Sequence, residues 1–223
     1  MRIAPPGGGS YAPPHGPIHI LHDDAALLAV SKPPGLLSVP GKTPDLEDCL
    51  LSRLFALRPR TLIVHRLDRD TSGVMVFART PSAQRDLSAQ FEGRSVSKTY
   101  LAVTSAPPAH RSGIIDRPMR SDWPNRPKQM VHPEGRRAVT RFRTLGTSGG
   151  GTLLALRPET GRTHQLRVHL AAIGCPIDGD PLYGGAAAPR LMLHAWRLRL
   201  THPVTKERLC LTAPWGPGFA QSG

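Results

Sequence analysis

The stretch Val64-His65-Arg66-Leu67-Asp68-Arg69-Asp70-Thr71-Ser72-Gly73 carries an apolar, strand-like start into a dense polar cluster, and Gly73 then reopens a β-rich run from Ser72 to Ala78. Residues at such a strand-to-loop junction are held by a rigid scaffold and still exposed, as catalytic groups require. The same pattern also suits a turn in which Asp68 and Asp70 cap backbone amides. Both readings stay open on these ten residues alone.

Upstream, Ile18 to His22, the Asp23-Asp24 pair and Ala25 to Ser31 form a strand–turn–strand pattern. Lys32-Pro33-Pro34-Gly35 stops it, and Leu46 to Phe55 has apolar positions at helical spacing. Downstream, Thr80 is an N-cap with Pro81 at N1, and Ala83, Leu87 and Phe91 recur every four residues. Further strands are expected at Tyr100 to Val103, Ala138 to Phe142, Thr152 to Leu156 and Leu191 to Leu200, and a helix over Thr163 to Ile173 closed by Gly174. The proline-rich stretch Ala106 to Glu134 lacks periodicity and is expected to be one long functional loop. Strands outnumber helices without strict alternation, so the fold class is α+β with a mixed, largely antiparallel sheet. A Pro/Gly-rich flexible tail over 1–17 and one domain over 18–218 are expected for a chain of 223 residues.

Lys and Arg total 29 against 16 Asp and Glu, a formal charge of +13, and all but five of the bases are arginine. A guanidinium grips phosphate bidentately and stacks on bases, so this excess suits a polyanionic partner; a compositional bias toward Arg and Ala would produce it too. No apolar run approaches a membrane span, and the N-terminus lacks the apolar core of a secretory signal. Cys49, Cys175 and Cys210 are far apart and odd in number, which argues against a disulfide framework or a Cys-type zinc site. A soluble, cytoplasmic protein is expected.

A second cluster runs Glu159-Thr160-Gly161-Arg162-Thr163-His164-Gln165-Leu166-Arg167-Val168-His169. His164 and His169 are five apart and do not share a helix face as an i,i+4 metal pair would, so no metal is expected. An ordinary cationic helix flank would look like this. So would a site in which Arg167 meets Asp68 and keeps that carboxylate ionised.

Taken together, His65-Arg66-Leu67-Asp68 with Thr71-Ser72-Gly73 resembles the signature of the RluA family of pseudouridine synthases. Val30 to Leu37 is similar to that family's upstream motif, Lys98-Thr99-Tyr100 to its tyrosine-bearing strand, and Gly161 to His169 to its third motif. Ile177 to Gly184 continues the match, in family order, across about residues 18 to 215. Ser38 to Gly41 and Asp122 to Gln129 are similar to segments of the family's dual-specificity member. Arg69-Asp70 departs from that member between the aspartate and Thr71, and the residues before the first strand are too few for the S4-type module some relatives carry.

The resemblance implies the family's catalytic fold, with helices flanking the sheet around a central RNA-binding cleft. It also implies conversion of uridine in structured RNA to its C-glycoside isomer, with no cofactor. Asp68 would be the catalytic carboxylate, either as a nucleophile at C1′ or as a base for a ribose proton. Arg167 would pair with it. Tyr100 would stack on the uracil and help remove the C5 proton, for which a phenol of pKa ~10 needs assistance. Arg66 would fill the space left by the extruded base or contact a phosphate. His65, Arg94, Trp123, Asn125, Arg126, Lys128, Arg162 and His164 complete the expected RNA-binding set, with Arg136 and Arg137 as further backbone contacts. The implied partners are the anticodon stem-loop of certain tRNAs and a hairpin of 23S rRNA, met by a monomer away from any membrane. A non-catalytic RNA-binding module would share the charge but would form no isomerised uridine. A glycosylase-type hydrolase would release free uracil, whereas a synthase leaves the RNA mass unchanged.

Overall fold

A ten-stranded mixed sheet organises the chain in the computed structural model, which describes residues 11–216 and Phe219. Its early elements are β1 (His19–Asp23), β2 (Leu27–Lys32), α1 (Leu50–Leu57), β3 (Leu62–Ile63), β4 (Ser72–Ala78), α2 (Pro81–Glu92) and β5 (Ser97–Thr104). There follow β6 (Ser112–Asp116), β7 (Met119–Ser121), β8 (Gln129–Val131), β9 (Val139–Ser148) and β10 (Gly151–Pro158). The chain closes with α3 (Gln165–Ala172), β11 (Leu193–Thr201) and β12 (Arg208–Thr212). The strand order is β1-β2-β4-β11-β5-β10-β9-β6, with β12 on β11 and β3 on β4; β7 and β8 form a separate hairpin. Every pairing is antiparallel except β4 with β11. The fold is α+β, as expected.

Local chemistry explains the elements that position the site. β2 and β4 are covered on both faces, so their residues read as near-continuous apolar runs, and every β4 residue is buried. Thr80 caps α2 by accepting the Ala83 amide at 3.2 Å, with Pro81 next, and Ala83 and Leu87 face the core. The β9–β10 hairpin turns on Gly149 and Gly150, both at positive φ, as a two-residue turn between right-twisted strands requires. Two large apolar cores result, one around β2, β4, α1 and α2, the other around β5, β10 and α3, and a small third cluster joins Met119, Ala138 and Val168. Tyr100 packs against both, at the seam between them.

The structure differs from the sequence expectations in three places. Ala106 to Glu134 is not one loop; it contains β6, β7, β8 and a 3-10 turn at Trp123–Asn125. The helix expected from Leu46 begins at Leu50, because the Cys49 thiol and the Ser52 side chain cap it reciprocally. Residues 11–17 of the expected flexible tail are partly tied down: the Tyr11 hydroxyl donates to the Asp48 carbonyl and accepts the Leu37 amide, and Arg53 donates to the Pro14 carbonyl. The first ten residues of that tail, and residues 217 and 218 of the expected domain, lie outside the described residues. Among the described residues no helix is long and apolar enough to cross a membrane.

Candidate active site

Asp68 sits in the loop between β3 and β4, and the backbone on both sides of it is pinned. Lys32, fully buried, spends all three ammonium protons on the carbonyls of Pro33, Leu36 and Arg69, at 2.7–2.9 Å. The Ser38 hydroxyl donates to the Leu67 carbonyl and accepts the Leu67 amide. Beyond the loop, Gly73 pairs with Ala195 of β11 so closely that a Cβ there would lie 2.2 Å from the Ala195 carbonyl oxygen, and its φ of +114° belongs to glycine. The Thr71-Ser72-Gly73 run is therefore the anchor of the Asp68 loop on the central sheet. The Asp68 carboxylate itself makes no hydrogen bond among the described residues and is 29% exposed.

Arg167 comes to Asp68 from α3. Its Nη1 lies 3.6 Å from Asp68 Oδ2, a charge contact without a hydrogen bond. The expected pairing is thus only partial, because the guanidinium fork is taken by Asp180: Nε and Nη2 each donate to one Asp180 oxygen at 2.7 Å. Burial opposes the charge on Arg167, but the bonds to Asp180 and the charges of Asp180 and Asp68 outweigh it and raise its pKa. A guanidinium locked in this way presents a fixed positive edge to Asp68. Asp180 was missed in the sequence, although it lies within the motif Ile177 to Gly184; nothing in the residue pattern separates a turn aspartate from one that clamps an arginine 13 positions away.

His164 reaches the same carboxylate oxygen. Its Nε2 is 4.0 Å from Asp68 Oδ2, and its Nδ1 is 2.7 Å from the Tyr183 hydroxyl. Two nitrogen-bearing side chains thus face Oδ2, and Asp68 lines the cleft beside them. That cleft is lined by Leu67, Asp68, Thr71, Lys98, Tyr100, Arg162, His164 and Arg167, among others. Burial, reinforced by the charge of Asp68, raises the Tyr100 pKa above its ordinary value. A phenol held protonated needs assistance to take the C5 proton, and the Tyr100 ring lines the cleft as one of its walls. The buried Thr71 hydroxyl has no hydrogen-bond partner among the described residues, a deficit a ligand or a water can fill.

The expected RNA-binding residues fall into two groups around this cleft. Arg66 is exposed, and its charge acts on His164. Arg94, Lys98 and Arg162 line an adjoining groove, where Lys98 is a half-buried cation absent from the expected set. His65 also borders this groove, but its ring stacks on Phe91 at 4.4 Å and its Nε2 accepts the Val76 amide, so its expected RNA-binding role is corrected to packing. On the other side, Pro127, beside the β7–β8 turn, and Leu182 flank a second opening onto Asp68. Trp123 is 68% exposed in that turn and carries the Arg126 guanidinium 3.2 Å from its ring centroid. Asn125 turns its amide back onto Asp122, leaving only its carbonyl oxygen for a base edge, and Lys128 is half-buried in the same turn.

Remote from the cleft, His22, Asp24 and His202 have ligand atoms within 4.8 Å of one another, a spacing that could suit a metal. Their hydrogen bonds argue otherwise. His202 Nδ1 accepts the Thr205 amide at 2.9 Å, so a neutral ring carries its proton on Nε2 toward Asp24 and offers no free lone pair. The cluster ties the β1–β2 turn to residues 202–205.

Comparison with known proteins agrees with this geometry. The sequence profile of the RNA pseudouridylate synthase family matches residues 26–172, a span that includes Asp68, Tyr100 and Arg167. The chain belongs to the RNA pseudouridylate synthase family. It is 42% identical over 215 residues to the dual-specificity RNA pseudouridine synthase RluA of Escherichia coli (strain K12), covering 93% of this chain and 98% of the relative. It is 45% identical over 190 residues to RluA of Yersinia pestis, covering 82% and 92%. Among solved structures it resembles human RNA Pseudouridylate Synthase Domain Containing 1, with a TM-score of 0.76 and 28% identity over 91% of this chain and 86% of that one. The protein is an RNA pseudouridine synthase, an isomerase of the RluA type.

Proposed function

We propose that Asp68 is the catalytic carboxylate, acting at C1′ of a uridine extruded from an RNA hairpin. The observation that carries this reading is the state of its side chain: without a hydrogen bond among the described residues, partly exposed in the wall of the cleft, and with Oδ2 faced by Arg167 and His164. In the reaction the N1–C1′ bond breaks, the uracil turns, C5 bonds to C1′, and the C5 proton leaves while N1 gains one. Asp68 either attacks C1′ or takes a ribose proton, and the fixed charge of Arg167 beside it orients the carboxylate for either route. Tyr100 holds the turning base by stacking. Arg66 fills the vacated stack and offsets part of the few kcal/mol that extrusion costs.

The substrates are an anticodon stem-loop of tRNA and a hairpin of 23S rRNA, met by a monomer in the cytoplasm. Support comes from similarity to dual-specificity relatives along nearly the whole chain and from the Trp123–Lys128 turn beside the Asp68 opening. Trp123 and Arg126 offer stacking faces to splayed loop bases, and Arg94, Arg136, Arg137 and Arg162 form a cationic border for the backbone. Incubation with a synthetic anticodon stem-loop tests this. The RNA should gain pseudouridine without change of mass. Inert short hairpins alongside modified intact ribosomal particles would contradict it.

A further inference from the structure

We propose that His164 is a positioning residue for Asp68, with Tyr183 fixing its ring so that the Nε2 proton faces the carboxylate. This deepens the reading above and rests on it, since it takes Asp68 as the reacting group.

The backbone supplies the first observation. His164 adopts φ 54° and ψ 17°, left-handed for a residue with a side chain, and it makes no side-chain cap to the helix it precedes. Such a conformation persists only where the surroundings hold it, and it is found disproportionately at functional sites. Here the ring is held. The Tyr183 hydroxyl lies 2.7 Å from Nδ1, and the two rings meet edge to face at 5.7 Å.

Tyr183 is the proposed donor in this contact. Its oxygen accepts the backbone amide of Gln129 at 2.8 Å, and its own proton has His164 Nδ1 within reach at 2.7 Å. With Nδ1 accepting, a neutral imidazole carries its own proton on Nε2, the nitrogen nearest Asp68 Oδ2. Burial keeps both groups in the required states. It pushes the Tyr183 hydroxyl up to about 12 and lowers the His164 pKa, which Asp68 and Asp180 pull up and Arg167 and Arg66 push down.

One turn arranges both donors. Asp180, which holds Arg167, also accepts the amides of Leu182 and Tyr183, so the residue that aims the guanidinium seats the tyrosine that aims the imidazole. Arg167 and His164 stand 3.6 and 4.0 Å from the same oxygen of Asp68, near enough to orient the carboxylate by charge without tying up its lone pairs in strong hydrogen bonds.

The test uses 15N-labelled full-length protein and long-range proton–nitrogen spectra of its imidazoles. The wild type is expected to hold His164 with the proton on Nε2, and Tyr183→Phe to shift that ring toward the other tautomer. On a synthetic anticodon stem-loop, Tyr183→Phe should lower kcat about tenfold, the worth of one hydrogen bond, with KM little changed. His164→Gln, which keeps an N–H near the Nε2 position, should retain more kcat than His164→Leu. A proton on Nδ1 in the wild type overturns the proposal. So does a Tyr183→Phe enzyme with unchanged tautomer and kcat. Turnover by Asp68→Asn would remove the underlying reading instead, and the spectra of the free protein distinguish the two failures.

Discussion

Asp180, not Asp68, holds the guanidinium of Arg167: both arms of the fork end on Asp180 at 2.7 Å, while Asp68 stands 3.6 Å away. A carboxylate that must react at carbon is better left without a tight bidentate partner, because each strong hydrogen bond lowers its basicity and blocks a lone pair. The division of labour resolves the conflict. One aspartate fixes the arginine, and the arginine lends its charge to the other.

Asp180→Ala should therefore be damaging in two ways. The Asp180 side chain is fully buried, and its removal leaves the buried Arg167 without its bidentate partner, a loss of typically ~3–5 kcal/mol. Activity should also fall sharply in whatever fraction remains folded. Urea unfolding beside turnover checks this, and a variant as stable and active as the parent would mean that Arg167 is aimed by something else.

Removing the Lys32 ammonium should loosen the same loop from the other side. Lys32→Met leaves the carbonyls of Pro33, Leu36 and Arg69 buried without a donor, at ~1–3 kcal/mol for each unsatisfied group, less what is regained by not burying a charge. Since Arg69 adjoins Asp68, kcat should drop more than RNA affinity does. Equal losses in both would show a general unfolding rather than a displaced loop.

Much of this fold is legible in the residues. Thr80-Pro81 announces the start of α2, the Asp23-Asp24 pair marks the end of β1 and the turn into β2, and the apolar runs of β2 and β4 reveal strands covered on both faces. The illegible parts have physical reasons. β7 and β8 are three residues each, too short to show a period, and are flanked by prolines that read as loop. The site shows the same split. Asp68 and Arg167 lie in recognisable motifs, whereas the Asp180 clamp and the Tyr183–His164 contact depend on tertiary proximity that local pattern does not encode. His65 sits inside the strongest motif and turns out to serve packing, since its ring nitrogen meets a strand amide.

Acid should destabilise the protein before its carboxylates titrate. His194 is 3% exposed, with Nδ1 toward the Ser72 hydroxyl and Nε2 toward the Ala213 carbonyl, and burial lowers its pKa from 6.5 to about 4. Burial lowers that of His65 to about 3. Between those values and 6.5 the unfolded chain binds protons that the folded chain refuses, so stability rises with pH through that window and is lost as pH falls. The loss should be on the order of a few kcal/mol, visible in urea midpoints taken at neutral and mildly acidic pH. Midpoints that do not move would mean that these rings are already charged in the fold.

RNA affinity should weaken steeply with salt if the +13 charge serves binding. Contacts to a single-stranded loop give a logarithmic slope of about −0.7 for each phosphate neutralised. Charge-removing changes at Arg94, Arg136 or Arg162 should each reduce that slope. A flat dependence would leave the arginine excess as a matter of composition.

The central claim is that the Asp68 carboxylate does the chemistry, and Asp68→Asn tests it most directly. The amide keeps the size of a side chain that makes no hydrogen bond among the described residues, so folding and stem-loop affinity should be nearly unchanged. Pseudouridine formation on a synthetic anticodon stem-loop should fall by at least about a thousandfold. Turnover within tenfold of the parent, in a variant shown to bind the same RNA, would contradict the account.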